Sequence, residues 1–239
     1  MIFVEIARVT LRALLGRRRT LLLLLLAAVP VLLGLLIRAN TSGISEVGAT
    51  LDGLVVRIIL PLIALVFGTA ALGSELEDGS AVHLLTKPIG RSTIVLAKVA
   101  VAGSLTALLV VPSTVITALL LTRSYEDGFG NAASMAVGVF AGSYLYAAIF
   151  AALSVLTSRG LILGLGYALI WEGLLAGLLP GTQVFSVREY VRGIVHTVSP
   201  GTIDSLVGSG SALFAAIALV GALAIASYRL ATYEVRGSD

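Results

Sequence analysis

Long apolar runs, separated by short polar ones, set the pattern of this chain. Six apolar stretches stand out, at about 20–37 (TLLLLLLAAVPVLLGLLI), 53–73, 99–122, 133–156, 161–180 and 211–231. Each has about the 17–25 residues that a helix needs to cross roughly 30 Å of hydrocarbon. None alternates as a barrel strand would, and in lipid a backbone has to satisfy its own hydrogen bonds, so the pattern predicts six transmembrane helices. The first stretch is too long for the apolar core of a signal peptide, and LIRANTSG offers no clear small-x-small cleavage site, so it is expected to stay in the protein as a span.

The polar stretches are patterned too. In residues 1–19, Ile2, Phe3, Ile6, Val9, Ala13 and Leu14 follow helical spacing, while Glu5, Arg8 and Arg12 fall on the opposite face. That predicts an amphipathic helix lying in the membrane interface ahead of the first span. Residues 181–210 join the last two spans and are half apolar. Val184, Val187, Val191, Ile194 and Val195 share one helical face, Arg188 and Arg192 share another, and Pro200–Gly201 break the pattern. This reads as one or two short re-entrant helices that dip into the outer membrane boundary and return.

The segment 74–98, SELEDGSAVHLLTKPIGRSTIVLAK, is a polar island between two apolar runs. Asp78 can cap a short helix there, and Pro88 ends it because the residue before a proline avoids helical backbone. Arg91 and Lys98 then return the chain to the next span, with both side chains expected at the lipid headgroups. An acidic entry, a small apolar patch (Ala81, Val82, Leu84, Leu85) and a basic exit make a plausible dock for a soluble partner.

Composition agrees with the spans. The mean hydropathy is +1.05, with 58% apolar and only 12% charged residues, too few charges to coat a soluble fold of 239 residues. The net charge of +3 gives no case for nucleic acid, because the basic residues gather at the ends of the spans. Eleven of the sixteen Lys and Arg fall on the side that holds both termini and the 74–98 island, which predicts that this side is cytoplasmic, with the chain multi-pass in the cell's inner (plasma) membrane.

Several chemistries have no sequence support. There is no cysteine for a disulfide or thiolate site, and His83 and His196 fall on opposite sides of the expected membrane. No GxxxxGK[ST] or HExxH occurs, and GSGSAL near position 208 has the makeup of an ordinary loop. The chain is therefore expected to bind no cofactor or metal and to catalyse nothing itself. Two charges interrupt the spans: Arg57 near the outer start of the second and Glu172 about eight residues from the outer end of the fifth. Such groups either pair structurally or snorkel, or they line a path or a subunit interface.

The island also carries a resemblance. Its Glu75 or Glu77, Gly79, Ser80, Leu84, Leu85, Pro88, Ile89, Arg91 and Lys98 resemble the E…G[ST]…LL…P[IL]xR…K pattern in the first cytoplasmic loop of ABC-2-type transporter permeases. The basic N-terminal segment, the six spans and the long last outer loop fit as well, so the likeness covers essentially the whole chain. It implies an all-α membrane protein of one domain, 1–239: half of an exporter, with an N-terminal elbow helix and outer re-entrant helices between spans 5 and 6. It also implies a coupling helix between spans 2 and 3, formed around Glu77, Asp78, Gly79, Ser80, Val82, His83, Leu84, Leu85, Thr86, Pro88 and Arg91. The implied partners are a second permease copy, identical or a sister, and two separate ATPase subunits that carry ATP and Mg. Alternating access driven by those subunits would move a substrate along a path between the two permeases. A secondary transporter or channel, or a membrane assembly scaffold, is the alternative reading.

Overall fold

The computed structural model describes residues 2–40, 47–77, 90–122, 125–157, 159–175, 182–205 and 208–232. These residues are almost wholly helical, and there is no strand among them. Among the described residues, five helices are long and apolar enough to cross a membrane, and a further apolar helix, Gly160–Leu174, is shorter.

Helix α1 (Ile2–Leu14) buries Thr10 and Leu14, while Glu5, Arg8 and Arg12 are exposed, as the spacing requires. Val9 and Ala13, expected on its apolar face, are exposed as well, so only part of that face meets protein. Helix α2 (Arg17–Asn40) is the first span and leaves most of its leucines uncovered. The second span is composite: α3 (Val47–Leu51), a π-helical segment (Asp52–Ile59) and α4 (Leu60–Glu77). Then come α5 (Arg91–Leu121) and α6 (Tyr125–Leu156). The fifth apolar run is α7 (Gly160–Gly166) followed by a second π-helical segment (Tyr167–Leu175). A 3₁₀ turn (Thr182–Phe185) leads to the outer helix α8 (Val187–Val198), and α9 (Ser211–Ala231) closes the chain.

The core lies among α4, α5 and α6, whose Phe67, Ile94, Tyr146 and Phe150 are fully buried. Small residues let these helices approach closely, which is how helices associate where lipid gives no hydrophobic drive. Cβ atoms added at Gly68 and Gly103 would come within 3.0 Å of the Phe150 side chain and 2.7 Å of the Tyr144 ring.

Several boundaries differ from the sequence reading. The second, third and fourth spans begin earlier, at Val47, Arg91 and Tyr125, because polar residues at a membrane surface extend a helix that apolar counting ends too soon. The RSTIVLAK stretch is therefore the first part of α5, not a return loop. Lys98 does not reach the headgroups. It is 2% exposed, and its Nζ donates to the Ala71 carbonyl of α4 at 2.8 Å. The island's central residues Asp78, Gly79, Ser80, Val82, His83, Leu84, Leu85, Thr86 and Pro88 lie outside the described residues, as does the side chain of Glu77.

Candidate functional site

The two π-helical segments meet near one end of the bundle, and α8 lies across them. In an α-helix, residues five apart sit about 140° around the axis from each other. An i→i+5 ladder brings them onto one side. The second apolar run uses this for Asp52 and Arg57, and the fifth for Tyr167 and Glu172. The π turn of span 2 has a local cause. Pro61 has no N–H, and its ring crowds the carbonyl four residues before it, so the ladder widens and the Leu60 N–H reaches Val55 instead.

Glu172 is 1% exposed and fully engaged. It accepts hydrogen bonds from the Tyr167 hydroxyl (2.8 Å), the Ser186 hydroxyl (2.6 Å), the Val187 N–H (2.7 Å) and the Arg188 N–H (3.3 Å). A carboxylate of span 5 thus sits on the N-terminus of α8, where orphan N–H donors and the positive end of the dipole favour negative charge. Ser186 is the N-cap, accepting from the Glu189 N–H at 3.3 Å. Beneath Glu172 runs an aromatic column: Tyr167 meets Phe150 edge-on at 6.2 Å, and Phe150 stacks on Tyr146 at 5.7 Å.

Asp52 holds the next turn of α8. Arg188 donates to both of its oxygens, Nε to Oδ1 at 3.3 Å and Nη2 to Oδ2, and Arg192 Nε lies 3.8 Å from Oδ1. Burial works against the Arg188 charge, but the hydrogen bonds and charge of Asp52 outweigh it and hold its pKa above the ordinary arginine value. Arg192 also donates to Glu189 at 3.0 Å, and Glu189 accepts from Ser205 at 3.1 Å.

The opposite face of α8 is seated on glycine. Cβ atoms at Gly138 and Gly142 of α6 would lie 2.4 Å from the Val195 side chain and 2.6 Å from that of Val191. A second close approach joins α8 to α9, where a Cβ at Gly193 would strike the Ser211 hydroxyl. One short helix therefore gathers the two π-helical segments, α6 and α9 at this end of the bundle.

Arg57 joins the two π segments: its Nη2 donates to the Gly173 carbonyl, next to Glu172. The structure thus brings the two charges noted within the apolar runs, Arg57 and Glu172, into one site. Around Arg57 opens a cavity of about 650 Å³, lined by residues that include Asp52, Asn131, Arg188, Arg192 and Asp204. Sequence reasoning missed Asp52, Tyr167, Ser186 and Glu189. Two signals were present: Ser186-x-x-Glu189 is the spacing of a helix capping box, and Gly138-x-x-x-Gly142 is that of a close-packing face. Arg91 is half-buried at the start of α5, far along the chain from this site. Among the described residues, no group of His, Cys, Asp and Glu side chains could hold a metal ion.

A bundle of apolar helices with a charged vestibule at one end is the architecture of a membrane transport protein. The sequence model of the ABC-2 family transporter proteins matches residues 4–230, and the chain belongs to that family. It is a multi-pass transmembrane protein of the ABC transporter permease class. No curated protein matches the sequence.

Proposed function

We propose that this chain is the permease subunit of an ATP-driven exporter, working as a pair of permeases with two separate ATPase subunits. The observation that carries this reading is the family match over residues 4–230, and the placement of the 78–89 segment supports it. That segment follows Glu77 at the end of α4 and precedes Arg91 at the start of α5, the two helices tied by Lys98. A push on this loop would therefore reach two core spans directly. Helix α7 with its π segment serves as the fifth of six spans, α1 as the elbow, and the 77–85 region as the coupling helix. Both termini face the cytoplasm of the inner membrane, and α8 closes the outer end. ATP and Mg belong to the partner, and this chain alone hydrolyses nothing.

The test is co-purification with the ATPase from detergent extract, with membrane abundance measured in parallel. Leu84→Asp puts an unpaired charge in the apolar patch and should abolish capture and stimulation of the ATPase while the spans still insert. A variant that binds and stimulates like the parent rejects the dock. The absence of cysteine allows a direct check of orientation. Phe185→Cys should be labelled only from outside and Ser92→Cys only from the cytoplasmic side, and the reverse pattern would invert the scheme.

A further inference from the structure

The vestibule's charges are unevenly spent. Three guanidinium groups and two carboxylates line it: Arg57, Arg188 and Arg192 against Asp52 and Asp204. Asp52 is committed to Arg188, with Arg192 close by, and Arg192 is also held by Glu189. Arg57 is different. It is exposed, and its hydrogen bond goes to a neutral backbone carbonyl. Among the described residues no carboxylate lies within ion-pair distance of it. Among the described residues its charge thus has no counter-charge, and no other acceptor takes the rest of its planar fork of N–H donors. Asn131 adds to this, because its side-chain oxygen accepts from Thr202 at 2.7 Å and leaves the amide NH₂ as a donor.

We propose that this cavity binds a phosphate-class anion, with Arg57 as the principal ligand. A guanidinium matches the paired oxygens of such a group, and charge-assisted bonds of this kind strengthen away from bulk water. The neighbours of Arg57 and its acceptor favour a lipid headgroup as the source. Ile58 and Leu174, next in sequence to Arg57 and Gly173, are exposed apolar side chains, so the anion site borders a surface suited to acyl chains. The π turn is part of the device, since only a ladder of that pitch points Arg57 to the same side as Asp52. The site goes beyond the exporter reading and does not depend on it, because binding needs no ATPase.

The experiment uses the full chain purified alone in detergent and reads thermal protection by three probes: phosphatidylglycerol, phosphatidylcholine and inorganic phosphate. Arg57→Gln keeps a donor for the Gly173 carbonyl but loses the charge. Arg38→Gln is the control, an exposed arginine that donates to the Leu120 carbonyl (3.1 Å) away from the cavity. Phosphatidylglycerol should protect the parent and Arg38→Gln alike and bind Arg57→Gln about tenfold more weakly, as the loss of one charge-assisted bond implies. Phosphatidylcholine should protect none of the three. Equal protection by inorganic phosphate, again lost in Arg57→Gln, would assign the site to a soluble anion. Equal protection of Arg57→Gln and the parent by the acidic lipid, or equal protection by the two lipids, overturns the proposal, as does a failure of every probe to protect the parent.

Discussion

At the α8 end of the bundle, the carboxylates of Glu172 and Asp52 accept hydrogen bonds from a helix too short to be a span. At the other end, cations do the work: Lys98 donates to the Ala71 carbonyl, and Arg19 donates to the Val66 carbonyl with its guanidinium carbon 5.7 Å from the Phe67 ring centre. Lys98 and Arg19 tie α5 and α2 to backbone acceptors within one continuous helix, α4. Asp52 and Glu172 join separate elements through side-chain charge. A cation on helix carbonyls can lose its charge and leave the helix intact. A carboxylate that satisfies another element's backbone N–H groups cannot be removed without orphaning them. The α8 end is therefore the more breakable of the two.

Glu172→Ala should show the difference most strongly. It strands two backbone N–H groups, the Ser186 and Tyr167 hydroxyls and a helix N-terminus, at a cost of about 3 kcal/mol in thermal unfolding of the detergent-solubilised chain. Gly142→Leu should come next, at about 2 kcal/mol, because its side chain must displace Val191. Val191→Ala in the same chain should recover part of that loss, and a purely additive double variant would show that the glycine groove does not seat α8. Lys98→Met should cost less, about 1 kcal/mol, since it keeps the volume and the α4 backbone that Lys98 meets stays hydrogen-bonded within its own helix. A larger loss for Lys98→Met than for Glu172→Ala would reverse the ranking of the two ends.

The spans were legible as long apolar runs, and α8 because its signal is periodic. Val187, Val191 and Val195 recur every four residues and are buried as that spacing demands, while Arg188 and Arg192 turn together toward Asp52. Arg57 and Glu172 stood out as charges within oil. Their meeting did not, because it depends on a change of helical pitch that the apolar pattern does not record. Asp52 looked like the polar edge of a loop, and a 100°-per-residue reading places it away from Arg57. Lys98 misled for a related reason: a lysine at a span boundary usually snorkels, and only the packed structure shows that α4 offers it a carbonyl.

The wide turn before Pro61 also bears on length variation in the gene. Substitutions within Asp52–Ile59 alter one side chain each. Removing a single codon there would return the ladder to the α pitch and swing every residue on its outer side by about 100°. Gly48, whose added Cβ would lie 1.6 Å from the Thr202 carbonyl, would then leave its notch, and Asp52 would leave Arg188. In this stretch the reading frame carries geometric information that residue identities alone do not. A one-residue gap here should do more damage than any replacement at the same eight positions.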